Sequence, residues 1–185
     1  EKKWNTFESL LARLSDDNIK NLIEGLGQRL IMAPASQRLD QYGAHPGGLV
    51  EHSLNVASLL RKSNEVYSHG LDMNSIIKVA LLHDIGKVGD LKHNLFVEQD
   101  SQWHREKLKQ EYKYNENIPK MSTSHRTLFL LQHFGVQLTS DEWLAIQLAQ
   151  GSHFEENRFY VGCEPTLAMA LQHAKSVVIH KIFIF

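Results

Sequence analysis

The stretch Ala80-Leu81-Leu82-His83-Asp84-Ile85-Gly86-Lys87 decides how this chain is read. An apolar run carries an imidazole and a carboxylate side by side, then a glycine releases the helix and a lysine follows. Successive helical residues point about 100° apart, so His83 and Asp84 reach one metal ion if a partner helix supplies a ligand opposite. An imidazole with a carboxylate suits Mn, Fe, Ni, Co or Zn better than Ca, which prefers oxygen alone. A bare His-Asp pair is common. This pair stands where an apolar helix enters its core, and buried charge needs a partner.

Upstream lies His45-Pro46-Gly47-Gly48-Leu49-Val50-Glu51-His52-Ser53-Leu54-Asn55-Val56. Pro-Gly-Gly breaks the chain and an amphipathic helix starts near Leu49. His52 shares its inward face with Leu49, Val56, Leu59 and Leu60. One histidine on an apolar face is more often a satisfied core residue than a ligand. Two core-facing polar sites on successive helices, one of them a His-Asp pair, reverse that expectation.

These segments, with Ala33-Pro34-Ala35-Ser36 before them, resemble the HD-domain superfamily of metal-dependent phosphohydrolases, nearest to the branch containing 3′-to-5′ exoribonucleases. The order His52, then His83-Asp84, matches the superfamily's first three metal ligands. The resemblance runs from about residue 33 to about 181 and implies an all-α single compact HD-type helical bundle. It also implies a divalent transition metal on His52, His83 and Asp84, with Lys87 on phosphate. A helix-end lysine that simply suits the dipole is the plainer reading of Lys87. His125 stands where the branch places an additional histidine for a second metal or for phosphate; after Ser124 it reads equally as a first-turn residue.

Length and composition set the bounds. At 185 residues the chain fits one domain, 1–185, large enough to bury a core without staples. Residues 1–32 read as covering helices and 33–181 as the HD core. Twenty basic against 21 acidic residues leave no electrostatic footprint for long duplex nucleic acid or an anionic membrane. Cys163 is the only cysteine, which removes intrachain disulfides and cysteine-based zinc clusters and favours a reducing, cytoplasmic setting. Neither a signal peptide nor a membrane-length apolar run is seen. Ile182-Phe183-Ile184-Phe185 is apolar enough to pack on the core or to mark a homo-oligomer contact.

Apolar periodicity and capping residues predict helices over 4–14, 17–30, 49–69, 74–85, 125–133, 140–151 and 166–180. The loop 37–48 offers Tyr42 and His45 as ligands or substrate contacts. Residues 89–121 are polar, with a short helix near Gln102. Trp103, His104, Arg105 and several lysines there read either as a grip on phosphate and base or as a solvated excursion anchored by Trp103 and Tyr112. Residues 157–162 read as an extended turn or a short hairpin arm, with Arg158 near the mouth of the site.

Two departures stand out against the resemblance. Where the branch carries paired histidines before a glycine, this chain has Ala149-Gln150-Gly151; where the superfamily closes its site with an Asp after Ala, it has Ala174-Lys175. A cation in place of a carboxylate weakens metal binding, and a Lys175 ammonium that takes the metal's place on Asp84 makes a dead site. Two functions are therefore carried forward. The first is hydrolysis of a phosphoester in a nucleotide or short oligonucleotide, with Asp84, Lys87 and His125 catalytic and Lys87, Arg105, His45 and Arg158 holding substrate. The second is a degenerate HD fold that binds a phosphate-bearing ligand or a protein partner without turnover.

Overall fold

A computed structural model describes residues 1–181 of the chain. The apolar segment 182–185, expected to pack on the core or a second copy, lies outside the described residues. Three helices open the fold: α1 (Lys2–Ala12), α2 (Asp17–Leu26) and α3 (Gln28–Met32). The Asp16 side chain accepts the N–H groups of Asn18 and Ile19 and so caps α2. Periodicity predicts a single helix through Leu30, but Gly27 adopts φ 51° and breaks it in two.

The body is α4 (Gly48–Val66), α5 (Met73–Leu82), α7 (Thr123–His133), α8 (Ser140–Leu148) and α9 (Thr166–Lys181), with α6 (Gln102–Leu108) peripheral. Helix α4 packs on both α5 and α9, and α8 packs on α9. Val56 and Leu60, Val79 and Leu82, Leu130 and Leu131, Ile146, and Leu171 meet in one core and are essentially inaccessible. Each such side chain contributes about 1.5–3 kcal/mol on burial. Helix α8 starts at Ser140 as predicted, behind a capping box between Thr139 and Glu142.

Two short strands, β1 (Phe96–Glu98) and β2 (Tyr112–Tyr114), pair antiparallel with Phe96 opposite Tyr114 and flank α6. The hairpin thus lies in the polar middle and not at 157–162. There the chain makes a 3₁₀ turn, Glu155–Tyr160, because the buried Asn157 side chain donates to the Gly151 carbonyl and curls the segment inward. Of the two expected anchors of the middle region, Tyr112 packs on Leu95, Phe96 and Ile118, whereas Trp103 is 59% exposed.

Candidate metal centre

The predicted helix 74–85 stops early. Helix α5 ends at Leu82, His83 keeps helical angles as its cap, and Asp84 leaves the helix at φ −110°, ψ 13°. A 3₁₀ turn, Ile85–Val88, follows. The carboxylate is therefore aimed by a junction and not by helical phase. Thr127 of α7 fixes that junction: its Oγ1 accepts the Gly86 N–H (2.9 Å) and donates to the His83 carbonyl (3.2 Å). A Cβ on Gly86 would stand 2.6 Å from the Thr123 carbonyl oxygen, so glycine is required for α7 to approach this closely.

His52 arrives from α4. The loop before it is held by Ser36, whose hydroxyl donates to the Tyr42 carbonyl, and by the Ala35 N–H on the Gly43 carbonyl (2.8 Å). That loop lays the Tyr42 ring 4.5 Å from the His52 ring, centroid to centroid.

His52, His83 and Asp84 each point one donor atom into a common space, the donors within 4.8 Å of one another. Asp84 Oδ2 lies 3.6 Å from His83 Nε2 and 3.8 Å from His52 Nε2. Donors that each stand about 2.0–2.2 Å from one metal lie about 3–4 Å apart, so the spacing fits. The protonation pattern fits as well. His83 Nδ1 donates to the Ala80 carbonyl (2.9 Å), which leaves Nε2 as a bare lone pair. That lone pair and both nitrogens of His52 have no hydrogen-bond partner and are buried, while Oδ2 of Asp84, also buried, meets the Lys87 ammonium at 3.0 Å. Unpartnered imidazole nitrogens converging on a carboxylate oxygen in a buried space are a donor set that a metal ion can take. On the chemistry of its donors the site fits a divalent metal, held by His52, His83 and Asp84.

Three further side chains complete the centre. Lys175, on α9, places Nζ 2.9 Å from Asp84 Oδ1 and 3.3 Å from Gln150 Oε1. Gln150 Nε2 donates to the same Oδ1 at 2.7 Å. Lys87 Nζ stands 3.0 Å from Oδ2 and donates to the Tyr42 hydroxyl at 2.6 Å. The closing helix therefore brings an ammonium where the superfamily pattern has a carboxylate. It engages the outer oxygen of Asp84 and leaves the imidazole nitrogens without partners.

The electrostatics follow from these contacts. Burial alone would raise the Asp84 carboxyl, yet Lys175 and then Lys87 outweigh it and hold Asp84 well below the usual carboxylate range. Burial pushes His83 down to about 4 against the opposite pull of Asp84, and His52 is pushed well down by the same cause. Burial also pulls on the Lys87 ammonium, but Asp84 and Tyr42 more than reverse it and keep Lys87 protonated. One ionised carboxylate thus faces two lysine side chains beside two imidazoles that burial keeps neutral.

The other expected site residues are scattered. His45 is exposed on the rim of a cavity of about 290 Å³ that reaches Tyr42 and His52, with Nε2 3.5 Å from the Glu51 carboxylate. His125 is exposed on the first turn of α7, its N–H taken by Ser122, as its first-turn reading expects. Arg105 is exposed on α6 and donates to the Gln99 carbonyl (3.1 Å), bracing its own turn. Arg158 is exposed in the 3₁₀ turn. None of these three hydrogen-bonds, ion-pairs or stacks with the centre among the described residues. Gln150, read from the sequence only as a missing histidine, is the residue whose role went unseen. Its place directly before Gly151 in the branch's histidine position was the available signal.

A family model for the HD domain matches residues 49–176. The matched span includes all three donors, Gln150 and Lys175. Comparison with curated proteins and with solved structures gives no match. Convergence of His52 from one helix with His83 and Asp84 from the end of the next, inside that matched span, places this chain in the HD domain family, a superfamily of metal-dependent phosphohydrolases.

Proposed function

We propose that this chain hydrolyses a phosphoester of a nucleotide or short oligonucleotide with the help of a divalent metal on His52, His83 and Asp84. The observation that carries this reading is the buried approach of His83 Nε2, which has no hydrogen-bond partner, to Asp84 Oδ2 at 3.6 Å, with His52 Nε2 equally unpartnered at 3.8 Å from the same oxygen. A metal bound there would polarise a phosphoryl oxygen and lower the pKa of a coordinated water. The remaining work falls to the chain's own groups. Lys87 and Lys175 hold Asp84 ionised, the Ala80 carbonyl fixes the His83 tautomer, and Tyr42 fixes the Lys87 ammonium. Lys87, 3.0 Å from Oδ2, stands where developing charge on phosphoryl oxygens needs a cation. The exoribonuclease-like segments make short RNA with a free 3′ end the first substrate to try.

Lys175 favours a second reading. Its ammonium on Asp84 already supplies positive charge, so the pocket holds a phosphate-bearing ligand without metal or turnover. Elemental analysis after incubation with Mn, Ni or Co, followed by assays on mononucleotides and short RNA, separates the two. Bound metal with turnover supports hydrolysis. No bound metal and no turnover ends the hydrolase reading, and in that case thermal stabilisation by nucleotide that EDTA does not remove supports the second.

A further inference from the structure

Beside the metal centre lies a cavity of about 730 Å³ whose wall includes Gln150, the residue that donates to Asp84 at 2.7 Å. Ile118 and Leu95 give it apolar surface, and two half-exposed aromatic rings, Tyr114 and Phe154, border it. Arg126 and Lys120 supply positive charge against the single carboxylate of Glu116 in the lining. Arg126 is the unusual member. It is only 4% exposed, its one side-chain hydrogen bond among the described residues runs from Nη2 to the Pro119 carbonyl (2.6 Å), and no carboxylate lies within ion-pair distance. It stands in the wall between this cavity and a smaller one bordered by Asp90, which does not pair with it. A guanidinium has five N–H donors, and a buried one without a counterion is costly. The same cavity is lined by Ser122 and Thr123, the start of the 11-residue helix α7, where free N–H groups and the helix dipole favour an anion.

We propose that this cavity binds an aromatic phosphate, its anionic group on Arg126 and the first turn of α7, its ring against Tyr114 and Phe154. The site deepens the hydrolase reading by naming the pocket for the substrate's organic part. Gln150 joins the two, since one face of it lines the cavity while its amide holds Asp84. Binding here needs no metal, so this inference and the hydrolase reading fail separately.

The test is isothermal titration of the full chain in EDTA with adenosine 5′-monophosphate, with adenosine and inorganic phosphate as separate arms. Saturable binding of the monophosphate is expected, with each fragment at least about tenfold weaker. Arg126→Gln is expected to weaken the monophosphate by about tenfold or more. Because Arg126 also holds the Pro119 carbonyl, circular dichroism checks that this variant folds. The exposed pair Tyr114→Ala with Phe154→Ala provides a second variant, expected to weaken binding by a similar factor. No binding to the wild type overturns the proposal, as does unchanged affinity in a folded Arg126→Gln or in the aromatic double variant. Adenosine binding as tightly as the monophosphate removes the anion contact, and inorganic phosphate binding as tightly removes the ring contact; either result overturns it. Turnover is read apart, with added Mn. Intact binding without turnover counts against hydrolysis alone.

Discussion

Changing Lys175 to Asp inverts the charge that Asp84 meets at 2.9 Å, and does so in a part of the molecule from which water is excluded. Without metal the variant loses a buried ion pair and gains a second carboxylate beside the first. Removing one partner of a buried pair costs about 3–5 kcal/mol. For a chain of this size each kcal/mol moves the melting temperature by about 2–4 °C, so metal-free Lys175→Asp should melt about 6–20 °C below the wild type. Added metal should narrow the gap. A fourth ligand of the right charge then closes the site, and ligand at a hundredfold excess over its Kd returns about 2.7 kcal/mol. Differential scanning fluorimetry in EDTA and in Mn, Ni or Co reads both halves. Lys175→Met separates charge from repulsion and should fall between the two. A Lys175→Asp protein that melts like the wild type in EDTA, or gains nothing from any of the three metals, would refute the placement of Lys175 as the closing position of a metal site.

The buried histidines make stability depend on pH in a stated direction. His83 binds its proton at about 6.5 when unfolded and about 4 when folded, so the unfolded chain holds more protons as pH falls through that window and stability falls with it. Its share is about 3 kcal/mol by pH 4, read as urea midpoints between pH 7 and 4.5; a flat profile contradicts neutral buried imidazoles. Tyr42→Phe removes the hydroxyl 2.6 Å from the Lys87 ammonium and should cost about 1.5–3 kcal/mol in chemical denaturation, with unaltered stability counting against that contact. Gly86→Ala forces a Cβ to within 2.6 Å of the Thr123 carbonyl, so a loss of about 1–3 kcal/mol is expected, and a neutral result means α7 sits further away.

The helical body could be read because its apolar residues recur at helical spacing and its starts carry capping side chains, as at Asp16 and Ser122. The three donors could be read because a polar pair in an apolar run is costly to bury unless something in the core binds it. Periodicity could not show that Asp84 leaves the helix, because the cause is a threonine hydroxyl 41 residues away, on Gly86. Nor could it find the hairpin: β1 and β2 are three residues each, and their pairing is decided by contacts across α6. The family resemblance points to His125, side-chain chemistry to Arg105 and chain order to Arg158. Which way each points depends on helix rotation and on the 3₁₀ turn at Glu155–Tyr160, neither of which composition reveals.

The lysine of the last helix carries a consequence for how this protein is made. A site closed by two carboxylates repels itself until a cation sits between them. Here the docking helix brings its own counterion, with Nζ at 2.9 Å from Asp84. The core can therefore close with the charge of Asp84 already balanced from within the chain.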